Sequence, residues 1–253
     1  MKKPILYKSK DIYNAKECGK ITGDVLKMVK NSISDCETTL DIDYKVKEFL
    51  KSKNAIPATL GYKNYPHNVC VSIDDVVLHG LPNDIKISDG MLLGIDCPVY
   101  YKGMYTDSAI NIEIGEVDKN KKRINKISYE CLMSTINIIK PNITIGDICL
   151  HQQSFAKENG YDVIKSFRGH GVGKKLHEPP YIPYFYYEKN PYNDYKLQEG
   201  NIIAVEPTLV TNDELILMDD GWGYKTSDGS IGCNWEHTIL ITKNGCEILT
   251  KME

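Results

Sequence analysis

The chain has 253 residues, 42% hydrophobic and 26% charged, with a net charge of -3. That length supports one large domain or two small ones around a substantial core, and the charge argues against a broad nucleic-acid surface, so no direct nucleic-acid partner is expected. No apolar run reaches the roughly eighteen residues that a membrane span needs, and Met1-Lys2-Lys3-Pro4 is basic without the apolar segment of a secretory signal behind it. The eight cysteines (18, 36, 70, 97, 131, 149, 233, 246) are scattered with no C-x-x-C, which reads as reduced thiols in a cytoplasmic protein.

Residues 11–33 place Ile12, Ala15, Cys18, Ile21, Val25, Val29 and Ile33 at spacings of three and four, one helical stripe. Thr38-Thr39-Leu40-Asp41 is a capping-box pattern and opens a second helix carrying Ile42, Val46, Phe49 and Leu50. A loop, Gly61–Pro66, leads to Val69–Ile73 and then to His79-Gly80-Leu81-Pro82. Asp89-Gly90 precedes the uncharged run Met91–Ile95, read as a short buried strand that ends in Asp96. Lys102-Gly103 is a hairpin-turn signal between Asp96 and Asp107, which predicts that the two acids face each other to within a residue or two of register. A second strand follows from Thr106-Asp107 to Ile112. The basic run Lys119–Arg123 marks a seam and reads as a solvated helix start or loop.

The second part repeats this order. Residues 121–139 carry another stripe (Ile124, Ile127, Cys131, Leu132, Ile136, Ile139). Thr144-Ile145-Gly146-Asp147 repeats the capping pattern, with a helix to about Asn159-Gly160. A glycine-rich turn, Phe167–Gly173, holds His170 and leads to His177-Glu178-Pro179-Pro180, so His79-x-x-Pro82 and His177-x-x-Pro180 occupy matching places. Glu199-Gly200 and the run Asn201–Val205 end in Glu206, and Glu236 precedes a strand to Ile241. The expectation is an α/β (α+β) architecture. One domain, residues 1–253, is built from two pseudo-symmetric halves, about 11–118 and 119–250.

A carboxylate ending a buried strand is costly unless something pairs with it. Each acid alone is more often a turn, cap or structural residue. Asp96, Asp107, Glu206 and Glu236 at repeated positions, with His170 among glycines, point instead to a cation site, because hard or borderline divalent ions suit such oxygen-rich clusters. The bland reading of His170 is a hydrogen-bonded turn histidine. Tyr62, Tyr65 and Trp222 read first as core aromatics, and Cys70 as a small buried hydrophobe. His237 follows Glu236 directly, so on a strand it faces away, in a supporting or structural role; His67 and His151 look incidental. The G-x-G-x-G run lacks the G-K-[ST] of a phosphate loop, and no G-x-S-x-G or H-E-x-x-H occurs. A Cys70/His79 thiol pair lacks any orienting third group.

Together these pieces resemble the type I methionine aminopeptidases of the pita-bread peptidase family, across almost the whole chain. They are Val76–Pro82, Gly94-Ile95-Asp96, Thr106-Asp107, Gly169–Gly173 with His177-Glu178, Val205-Glu206-Pro207, Trp235–Ile239 and Asn244–Thr250. The start near the catalytic region resembles the short bacterial form. The resemblance implies a pita-bread fold with duplicated helices packed on a curved antiparallel sheet. It implies a cytoplasmic enzyme that removes initiator methionine from nascent chains whose second residue is small. It implies two divalent ions (Co, Mn, Fe or Zn): Asp96 chelating one, Asp107 and Glu236 bridging, His170 and Glu206 binding the second. His79 and His177 would contact substrate, Glu206 would shuttle the proton and His177 would stabilise the oxyanion. Two ions about 3.5–4 Å apart can activate a shared water as the attacking hydroxide. Tyr62, Tyr65, Cys70, Leu176 and Trp222 would line the methionine pocket. Leu176 stands where the family often has an aromatic, which implies a roomier wall, and Lys174-Lys175 add charge beside the site. A monomer is expected, and docking on the ribosome is left open. The runner-up on the same fold is a proline-directed peptidase; a third reading is an inactive binding module.

Overall fold

The computed structural model describes residues 2–253. Four long helices form where the apolar stripes predict them: α1 (Ser9–Asn31), α2 (Thr39–Ser52), α3 (Lys119–Ile138) and α4 (Ile145–Glu158). Both capping boxes close. The Thr38 N–H donates to Asp41 Oδ2 at 2.8 Å, and in α4 the Asp147 N–H donates to Thr144 Oγ1 at 3.0 Å while the Thr144 N–H donates to Asp147 Oδ2 at 3.1 Å. Helix α1 packs on α2 and α3 on α4. Their buried stripes (Cys18, Val25, Leu26 and Val29 in α1; Ile124, Cys131 and Leu132 in α3) press on the apolar faces of the sheets.

Two antiparallel sheets matter for function. The smaller has the order Cys70–Ile73, Leu92–Asp96, Ala109–Glu113. The larger has five strands in the order Glu178–Pro183, Arg168–Gly171, Ile202–Val205, His237–Ile241, Cys246–Ile248. The central runs Leu92, Leu93 and Ile95 and Ile202–Val205 are buried, as their unbroken apolar character predicts. The sheets meet where Ala109 and Glu236 exchange backbone hydrogen bonds of 3.3 and 3.1 Å.

Three local expectations change. Lys102-Gly103 does turn a hairpin, but between the short strands Val99–Tyr101 and Met104–Thr106. The strand expected from Thr106 to Ile112 breaks at Asp107-Ser108, and Asp96 pairs with Ala109 instead of Asp107. The offset is two residues, so side-chain parity is kept and both acids stay on one face. The glycine-rich stretch around His170 is not a turn. Arg168–Gly171 is an inner strand, paired on both sides.

Candidate active site

Each of the four acids sits at a strand terminus, where the ladder gives way to a cavity: Asp96 ends a strand, Asp107 and Glu206 lie one residue past one, and Glu236 lies one residue before one. Asp96 closes Leu92–Asp96, with Cys70 opposite it in register. In the larger sheet Val205 pairs with His237, and the ladder continued by one rung sets Glu206 opposite Glu236. His170 sits between Tyr181 and Ala204 on the neighbouring strands. Its strand can be this tightly flanked because of the glycine after it: a Cβ on Gly171 would lie 2.3 Å from the Pro179 carbonyl oxygen. Asp107 is held by its backbone, whose N–H donates to Thr238 Oγ1 at 2.8 Å while its carbonyl accepts from the same hydroxyl at 2.8 Å.

The structure brings Asp96, Asp107, His170, Glu206 and Glu236 to the floor of one cavity of about 830 Å³. Asp107, His170 and Glu236 are buried and offer ligand atoms within 4.8 Å of one another. His170 Nε2 lies 3.4 Å from Glu206 Oε1. Asp96 Oδ1, Asp107 Oδ1 and Glu236 Oε1 are buried with no hydrogen-bond partner among the described residues. Buried polar atoms are normally satisfied, so three orphaned carboxylate oxygens in one place mark a site shaped for something cationic. Electrostatics agree. Burial, then mutual repulsion, pushes the Asp107 and Glu236 carboxyls well above the carboxylate range, and burial raises Asp96 to about 6 and Glu206 to about 8. The donor set of four carboxylates and an imidazole fits divalent metal ions.

Above this floor stand the other predicted residues. His177 stacks on Tyr62 with ring centroids 5.2 Å apart, and its Nδ1 lies 2.8 Å from the Tyr62 hydroxyl. It also lies 4.2 Å from the His170 ring. Its ring stays open to water inside the cavity, while the surrounding protein, then His170 and Lys63, hold its protonated form down. His79 is half-buried with φ at 57°, a left-handed conformation uncommon outside glycine, and packs edge-on against Phe167 at 5.3 Å. Burial lowers its pKa to about 4, so it is neutral near pH 7. Tyr65, Trp222, Cys70 and Leu176 line the same cavity, with Trp222 edge-on to Tyr65 at 5.1 Å. His237 points away, with Nδ1 2.9 Å from Thr250 Oγ1. His67 and His151 lie beside Asp43 and Ser134, outside the cavity.

Several residues of the site escaped the sequence reading: Phe167, Tyr224, Asn234 and the cations Lys63 and Arg168 line the cavity, and Tyr184 lies behind it against Glu206. Tyr184, fully buried, donates its hydroxyl to Glu206 Oε2 at 2.6 Å. The only signal for it is two-residue alternation with buried Ile182, which reads as core.

Residues 14–243 match the profile of metallopeptidase family M24. The chain belongs to metallopeptidase family M24. Among M24 relatives, a methionine aminopeptidase of Buchnera aphidicola (subsp. Schizaphis graminum) is 36% identical over 248 residues, 97% of this chain and 94% of that protein. That of Escherichia coli K12 is 33% identical over 243 residues, 95% of this chain and 91% of that protein. The crystal structure of methionine aminopeptidase from Thermotoga maritima superposes with a TM-score of 0.93 at 35% identity, covering 98% of this chain and all of that one. The M24 fold extends further: prolidase from Pyrococcus furiosus has a TM-score of 0.77 at 23% identity, with 99% of this chain matched to 66% of that one. The architecture is the mixed α/β pita-bread fold that these enzymes share.

Proposed function

We propose that this chain is a metal-dependent methionine aminopeptidase that releases N-terminal methionine from peptides and nascent chains with a small second residue. The observation that carries this is the orphaned carboxylate cluster on the floor of a cavity whose wall is aromatic and thiol-lined. The near full-length likeness to methionine aminopeptidases supports it.

Asp96, Asp107, His170, Glu206 and Glu236 are the residues to hold the metal, read here as two divalent ions balancing four carboxylates. When bound, such ions supply Lewis acidity and lower the pKa of water toward neutrality. The chain's own groups do the rest. Tyr62, Tyr65, Cys70, Leu176 and Trp222 form the pocket for an unbranched thioether. His79, neutral and held in a strained backbone position, contacts the substrate beside that pocket. His177 donates a hydrogen bond to the carbonyl oxygen as negative charge builds there. Glu206 carries a proton to the leaving amine. The reading extends to a cytoplasmic monomer, one catalytic domain whose halves (about 11–118 and 119–250) each contribute two acids.

A proline-directed peptidase is the competing reading on the same fold. Incubation with Met-Ala-Ser and with an Xaa-Pro peptide, across Co, Mn, Fe and Zn, separates them. The expected result is metal-dependent release of free methionine from Met-Ala-Ser. Preferential cleavage before proline would favour the competitor, and no hydrolysis with any metal would sink both.

A further inference from the structure

The two oxygens of Glu206 have different surroundings. Oε1 faces Nε2 of His170 at 3.4 Å, on the side of the acid cluster. Oε2 accepts the Tyr184 hydroxyl at 2.6 Å. Tyr184 follows the strand Glu178–Pro183 and is fully buried, so no water competes for this bond. Such a short bond to a carboxylate is charge-assisted and stronger than a neutral one. A phenylalanine would fill the same volume. The hydroxyl is therefore the informative part: it is a polar group carried into the interior and aimed at one oxygen of one carboxylate.

We propose that Tyr184 is a positioning residue that makes Glu206 a one-oxygen ligand, fixing its carboxylate plane and keeping Oε2 away from the cation. The inference rests on the cation-binding reading of the cluster. Three of the acids leave a buried oxygen unpartnered, namely Asp96, Asp107 and Glu236. Glu206 is the fourth, and Tyr184 occupies its second oxygen. A carboxylate free to turn offers a metal both oxygens; one pinned at Oε2 offers Oε1 alone. Pinning also spares the ordering that Glu206 would otherwise undergo on each turnover. Groups that orient metal ligands in this way are typically worth roughly 10–100-fold in metal affinity or activity.

The test compares wild type with Tyr184→Phe, both stripped with chelator and titrated with Co(II) while heat and visible absorption are recorded. Co(II) bands weaken as the coordination number rises. The expected result is a variant that still binds Co(II), with a weaker visible band per ion. Its kcat on Met-Ala-Ser is expected to fall roughly 10–100-fold, with KM within about threefold. A variant with the wild-type Co(II) spectrum and wild-type kcat overturns the proposal, and so does a kcat loss with an unchanged spectrum, which marks a merely structural tyrosine. If the phenylalanine variant does not fold, 3,5-difluorotyrosine placed at position 184 keeps the shape and weakens the hydroxyl's hold on its proton. A shifted Co(II) spectrum then supports the proposal, and an unshifted one overturns it. A wild-type protein that binds no divalent cation overturns the functional reading itself, a different outcome from a variant that binds as wild type does.

Discussion

The ring of His177 has two nitrogens, and the structure distinguishes them. Nδ1 lies 2.8 Å from the Tyr62 hydroxyl, and the ring's protonated form is held down by the protein around it, by His170 and by Lys63. In a neutral imidazole one nitrogen accepts and the other donates. With Tyr62 donating to Nδ1, the proton belongs on Nε2, which is the tautomer needed to donate to a substrate oxygen. Tyr62→Phe removes that bias while leaving the stack. The expected outcome is a kcat on Met-Ala-Ser lower by about tenfold, since a net hydrogen bond is worth about 1 kcal/mol or somewhat more, with KM changed by less than about threefold. A rise in KM at constant kcat would mean that Tyr62 only shapes the pocket. At this scale much of the site was legible in the sequence, because Asp96 and Glu206 each end an uncharged run and Glu236 precedes a strand, places where a charge has no business without a partner. Tyr184 was not legible. Its hydroxyl finds Glu206 22 positions away, across the intervening strand Arg168–Gly171, an arrangement that no local pattern encodes.

Helices were the most readable elements, since a stripe at spacings of three and four needs only its own residues and a capping box only four. Strand breaks were less readable. The interruption at Asp107-Ser108 depends on Glu236 and Thr238 from the other sheet supplying the hydrogen bonds. Helix α1 carries a further long-range constraint. A Cβ on Gly23 would lie 2.0 Å from the Lys251 carbonyl oxygen, so the helix touches the C-terminal segment backbone to backbone. Alanine in a helix interior is favoured over glycine by about 1 kcal/mol, but overpacking a fixed contact costs about 1–3 kcal/mol, and backbone cannot rotate aside. Gly23→Ala is therefore expected to destabilise on balance, by about 1–2 kcal/mol in urea unfolding. Gly245 meets nothing within 4 Å, so Gly245→Ala serves as a control and should stay within about 0.5 kcal/mol of wild type. A Gly23→Ala protein as stable as that control would mean that the C-terminal segment moves away at no cost.

On the scale of the whole molecule, the gathered acids tie stability to pH and to cations. Without a metal, Glu206 titrates at about 8, and Asp107 and Glu236 stay well above the carboxylate range, burial being the first cause in each. In the unfolded chain the same groups ionise near 4–4.5. Their contribution is thus fully present at acid pH and is lost as pH climbs toward the folded values, because there the folded state holds protons that the unfolded state has released. Three histidines act in the opposite sense: His79, His170 and His237, each lowered to about 4 chiefly by desolvation, cost stability only below the ordinary histidine range. Between pH 6.5 and 8 the carboxylates act nearly alone. Each proton retained across that interval corresponds to about 2 kcal/mol. In chelator, Tm is expected to fall by several degrees from pH 6.5 to 8. Cations replace those protons, so binding tightens with pH, and excess Mn(II) or Co(II) should raise Tm more at pH 8 than at 6.5. The double substitution Asp107→Asn, Glu236→Gln should flatten the chelator profile and abolish most of the cation's gain. A chelator Tm that does not change over this range, or a cation gain equal at both pH values, would mean that the four acids are not sharing protons where a metal is meant to sit.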